Sequence, residues 1–77
     1  MTFAERLKQL RKDAGVSQIT LHIETGLANS LIQAYERGVT LPFEKNAIKL
    51  ADFFRIDANQ LIREIEKERM MKIENSR

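Results

Sequence analysis

Few residues in this 77-residue chain are equipped for bond-making chemistry. It has no cysteine and one histidine, His22. It offers no nucleophile–base set, no phosphate-cradling loop and no cluster of metal ligands, so no catalysis, metal or cofactor is expected. His22 also lacks a carboxylate at a supporting i+4 position, which is Gly26. The side chains that can act are ones that recognise. Asn29 and Gln33 carry amides that can both donate to and accept from adenine. Ser30 can bond a base or a phosphate, and Arg37 can fork to a guanine or hold a phosphate.

These residues sit in the segment SQITLHIETGLANSLIQAYERG, from Ser17 to Gly38. It reads as two short helices broken by Gly26, a residue that accepts positive φ without a side-chain clash. Leu21, Leu27, Ile32 and Tyr35 can meet around that turn and pack the helices at a steep angle. Such a helix-turn-helix is a usual tool for reading the DNA major groove. On the local pattern alone, an ordinary αα-corner in a small bundle is the alternative.

The elements around this segment are also legible. Thr2 with Glu5 makes a capping box for a first helix, whose stripe is Phe3, Leu7, Leu10 and Ala14 and whose end is Gly15. Ser17 caps the second helix, which runs to about Thr25. A third spans about Ala28 to Arg37, stopped by Gly38. Pro42 suits the start of a fourth, with a stripe of Phe43, Ala47, Leu50, Ala51 and Phe54. Asp57, with Gln60, caps a fifth that nothing breaks until near Ser76. Five helices with tight connections predict an all-α fold in one small domain. No apolar run approaches the roughly 20 residues of a membrane span, and MTFAERLKQLRK has no signal-peptide core, so a cytoplasmic protein is expected.

The net charge is +2, a weak pointer to an anionic partner. Residues 1–56 carry eight basic and six acidic groups, and residues 57–77 carry five of each. The positive excess therefore lies with the helix-turn-helix.

Ser17-Gln18, Gly26, Ile32, the string Tyr35-Glu36-Arg37-Gly38 and Lys49-Leu50-Ala51 stand in an order and spacing that resembles the lambda-repressor-like helix-turn-helix family of bacterial and phage regulators. The resemblance covers roughly residues 3–62. It implies a five-helix DNA-binding domain, here with an extended C-terminal helix. It implies that the helix from Ser17 positions the next one, and that Ala28, Asn29, Ser30, Gln33, Ala34 and Arg37 face the groove. Of these, Asn29, Ser30, Gln33, Ala34 and Arg37 are the expected base contacts. If Ala28 is the N-cap it has no side-chain oxygen to offer, so Asn29 can serve as the cap instead. Phosphate contacts are expected from Ser17, Gln18, Arg37 and Thr40, and Gln18 matches a residue that also braces the recognition helix. The resemblance further implies an ion pair between Arg11 and Glu36 that aims the third helix.

The expected function is a sequence-specific transcriptional regulator that binds double-stranded DNA as a homodimer. Two recognition helices would enter grooves about 34 Å apart on a palindromic operator. Repression is the outcome the resemblance favours. Leu61, Ile62 and Ile65 lie where this family often dimerises. Met70 and Ile73 are apolar residues in a charged tail that should outrun so small a body. The expected boundaries are thus 1–65 for the domain and 66–77 for an extension that helps to dimerise it.

The chain departs from the family pattern at four points. His22 stands where alanine is usual. Ile19 and Ile23 lie on a face usually polar and could form, with His22, a surface for a protein partner. Arg55 replaces a glycine. Few basic residues line the recognition helix. These departures support the alternative of an interaction module or antirepressor that keeps the fold without binding an operator alone.

Overall fold

The computed structural model describes residues 1–75, with side chains as far as Ile73. Among them are five helices and no strand: α1 (Phe3–Ala14), α2 (Gln18–Thr25), α3 (Asn29–Glu36), α4 (Glu44–Phe54) and α5 (Ala58–Asn75). Ser76, the expected end of the last helix, lies outside the described residues. No helix among the described residues is long and apolar enough to cross a membrane.

Local chemistry sets the boundaries. The Thr2 hydroxyl accepts from the Glu5 amide, and the Glu5 carboxylate accepts from the Thr2 amide at 2.9 Å. Ser17 Oγ accepts from the Thr20 amide at 3.0 Å. The α2–α3 turn hangs on Gly26, at φ 77°, a left-handed conformation in which a side chain is strained. Asp57 Oδ1 accepts from the amides of Asn59 and Gln60 and so starts α5. Arg55 closes α4 in the left-handed region at φ 57°, a position where glycine would avoid roughly 1 kcal/mol of strain. Its amide still reaches the carbonyls of Ala51 and Asp52.

All five helices contribute to one core. Leu21, Leu27, Ile32 and Tyr35 are buried together around the turn, alongside Phe3, Leu7, Ala47, Leu50 and Ala51. The Phe3 ring meets Tyr35 edge-on at 6.0 Å. Three stripe residues depart from expectation. Leu10 is only partly buried and Ala14 is exposed, because α1 turns that end to solvent. Phe43 is 74% exposed, since the buried Pro42 takes the inner place in front of α4.

Leu61 and Ile65 are each 1% exposed and belong to the core. That corrects their expected place on a dimer surface, because neither can touch a second chain while the monomer is folded. A charged residue at 65 would break the fold rather than only separate subunits.

The expected boundary at 65 is not where α5 leaves the body. Glu68 Oε1 accepts from the Phe3 amide at 2.7 Å, holding the first turn of α1. Arg69 donates to the Pro42 carbonyl at 2.8 Å, lies 4.4 Å over the Phe43 ring and pairs with Glu66 at 3.0 Å. Arg6 on α1 pairs with Glu64 at 3.0 Å. Arg69, which interrupts the apolar stripe, is therefore an anchor for the loop between α3 and α4.

Candidate nucleic-acid interface

The aim of α3 is fixed from behind. Glu36, at its C-terminal end, is 6% exposed and receives three hydrogen bonds. Arg11 of α1 donates from Nε at 2.6 Å and from Nη2 at 2.9 Å, and Gln18 of α2 donates from Nε2 at 3.0 Å. Arg11 also donates from Nη1 to the Val16 carbonyl at 3.0 Å. One carboxylate thus ties three helices together. Burial alone would raise the Glu36 pKa, but the hydrogen bonds from Arg11 and Gln18 and the nearby Arg11 charge outweigh it and hold it below the usual carboxylate range. The same bond to Glu36 raises the Arg11 pKa.

On the same helix Ile32 and Tyr35 face the core, so the opposite face is presented outward. Ser30, Gln33 and Arg37 are exposed, and Asn29 and Ala34 are half-buried. Ala28 is exposed and is the N-cap of α3, with no side-chain bond to the helix. The expectation that Asn29 supplies the cap is corrected: Asn29 is the first helical residue, and its Oδ1 is enclosed without a partner.

Of the residues expected at phosphates, Ser17 is exposed and also donates to Thr20 Oγ1 at 3.0 Å. Gln18 is half-buried and spends its amide on Glu36, which places it as a brace for α3. Thr40 is exposed on the loop after α3.

The Ile19–His22–Ile23 set does not act as one surface. Ile19 and Ile23 are 56% and 68% exposed, but the half-buried His22 ring turns to the α2–α3 turn, where Nδ1 donates to the Leu27 carbonyl. The ring thereby occupies the space an alanine would leave. At that turn Thr25 Oγ1 donates to the Leu21 carbonyl at 2.6 Å and accepts from the Leu27 amide at 3.2 Å.

A family model for a helix-turn-helix domain matches residues 4–67, nearly the whole described body. The chain belongs to the lambda-repressor-like helix-turn-helix family. It is similar in structure to the restriction-modification controller protein C.AhdI from Aeromonas hydrophila. The two are 37% identical, with a TM-score of 0.70, over 77% of this chain and 89% of the other. Comparison with curated proteins returns no match. As a member of this family the chain is a DNA-binding transcription regulator. Within it, Glu36 carries no hint in its own type that it is buried. Only its pairing with Arg11, 25 positions away, makes it legible, and Gln18, which the resemblance gives as a brace of the recognition helix, braces it here through Glu36.

Proposed function

We propose that this regulator is a repressor that binds a palindromic operator as a homodimer, with α3 of each subunit in successive major grooves. Asn29, Ser30, Gln33 and Ala34 read bases; Ser17, Thr40 and Arg37 set the register on phosphates, and Gln18 braces α3 from beside them. The observation that carries this reading is the polar outer face of α3, braced from behind by the Arg11–Glu36–Gln18 network. A reading helix needs such bracing, because base contacts tolerate little error in aim.

With Leu61 and Ile65 in the core, dimerisation falls to Ile62, which is half-buried, and to Met70 and Ile73, which are 58% and 52% exposed. The low net charge makes two-fold avidity a necessary source of affinity. Similarity to a restriction-modification controller protein supports a role as a controller of this kind.

Gel shifts on the promoter region of the protein's own gene, at two salt concentrations, test the reading. The expected result is a specific shift that Gln33→Ala weakens by roughly 1–3 kcal/mol, with a relaxed base preference. Binding that no substitution on α3 alters would overturn it.

A further inference from the structure

The amide of Asn29 is not free to turn both ways. Its Oδ1 is enclosed, with less than 1 Å² exposed, and no hydrogen bond reaches it from the protein. Asn29 is the first residue of α3, directly after an N-cap that supplies no side chain to the helix. The first turn of a helix carries partial positive charge from its free amide groups. A carboxamide oxygen sits well in that field, and an amide NH2 does not. The helix terminus therefore orients the group with oxygen inward, which leaves Nδ2 on the open side of a half-buried residue. Gln33, one turn along, is exposed and has no such constraint.

A base edge meeting α3 then finds different chemistry at the two amides. The bidentate match of a carboxamide to adenine needs a donor for N7 and an acceptor for the N6 amino group. Gln33 can supply both. Asn29 can supply the donor alone, unless it turns its NH2 into the enclosed, positive site.

We propose that Asn29 is a one-way reader. It presents a hydrogen-bond donor to the major groove, selects operator positions by a purine N7, a guanine O6 or a thymine O4, and is blind to exocyclic amino groups. This assignment rests on the proposed reading that α3 contacts bases, and it adds the polarity of one contact.

The test uses the full-length native protein and the operator selected from a random duplex pool. The Asn29 position is the base pair whose preference relaxes in Asn29→Ala. Duplexes are then made with single groups deleted there: a 7-deazapurine, 2-aminopurine in place of guanine, or 5-methyl-2-pyrimidinone in place of thymine removes an acceptor, and purine in place of adenine, or 2-pyrimidinone in place of cytosine, removes an amino group. Each duplex is also bound to Asn29→Ala, so that changes in the duplex itself cancel. The expected result is a loss of about tenfold in affinity for an acceptor deletion with the native protein and none with the variant, while amino deletions leave the native protein unchanged. A loss on amino deletion that the variant abolishes overturns the one-way assignment but leaves base reading by α3 intact. If Asn29→Ala relaxes no position while Gln33→Ala does, Asn29 reads no base and the assignment falls alone. If neither relaxes any position, the reading of α3 as the base-contacting helix falls with it. Should Asn29→Ala fold poorly, Asn29→Asp, which keeps the inward oxygen and the helix-terminus charge match but lacks the donor, locates the position and serves as the reference.

Discussion

Replacing Arg11 by Met should destabilise the protein far more than replacing Arg11 and Glu36 together by Met and Leu. The single change strips Glu36 of two of its three hydrogen bonds, at 2.6 and 2.9 Å, and of its counter-charge, leaving only the amide of Gln18 at 3.0 Å. The Glu36 side chain is 5% exposed, so water cannot replace what is lost. Removing one partner of a buried pair destabilises by about 3–5 kcal/mol, while exchanging both for apolar groups of similar volume is often neutral. Arg11 is 19% exposed, which favours the lower end, about 3 kcal/mol. For a domain of this size that is a fall in Tm of roughly 12–24 °C. The double variant frees the Gln18 amide and the Val16 carbonyl, so its own loss should be about 1 kcal/mol. Thermal melts followed by circular dichroism, over all four corners of the cycle, measure the coupling. Single-variant effects that add within about 0.5 kcal/mol would show that the two charges do not act as a pair, and would refute the reasoning.

Three further outcomes follow from the same structure. Removing residues 66–77 deletes the Glu68 bond to the Phe3 amide and the Arg69 contacts to Pro42 and Phe43, so it should lower stability by roughly 2–4 kcal/mol, contrary to a tail that only helps two subunits meet. An unchanged melting temperature would show those contacts to be idle. Because Glu36 titrates below its unfolded value, its ionised form stabilises the fold above about pH 4.3, and that contribution is lost as pH falls through the folded value. Glu36→Gln should therefore flatten the fall in stability that sets in below about pH 5, and an acid transition as steep as the native one would contradict the assignment. Arg37→Ala should weaken all DNA sequences about equally and reduce the salt slope by roughly one unit, whereas loss confined to one G·C pair would make Arg37 a base reader.

Much of this fold is local and so can be read along the chain. Thr2, Ser17, Gly15, Gly26 and Asp57 each act on neighbours within four residues, and each marks a helix end where its type predicts. The core around the turn is also local, since Leu21, Leu27, Ile32 and Tyr35 fall on two adjacent helices. What escapes the sequence depends on distant partners. Arg69 looks like a flaw in the α5 stripe until Pro42 and Phe43, 27 and 26 positions earlier, are brought beneath it. Glu68 looks like a surface charge until the start of α1, 65 residues away, lies against it. Leu61 and Ile65 have the right spacing for either a core or an interface, and only the packing of α5 on α4 and α1 decides for the core. On the outer face of α3 the residue types are legible, but the enclosed Oδ1 of Asn29 is not, because it depends on where the α3 N-terminus falls.

If α3, presented by this framework, reads a two-fold operator, the operator must carry that symmetry. Selection of bound duplexes from a random pool by the native protein tests it most directly. The expected result is enrichment of a palindromic motif whose half-site centres lie about 34 Å, or roughly 10 base pairs, apart, and loss of preference within each half-site when Gln33 is replaced by alanine. Recovery of no motif, or of one whose base preferences survive that replacement and Asn29→Ala alike, would contradict it.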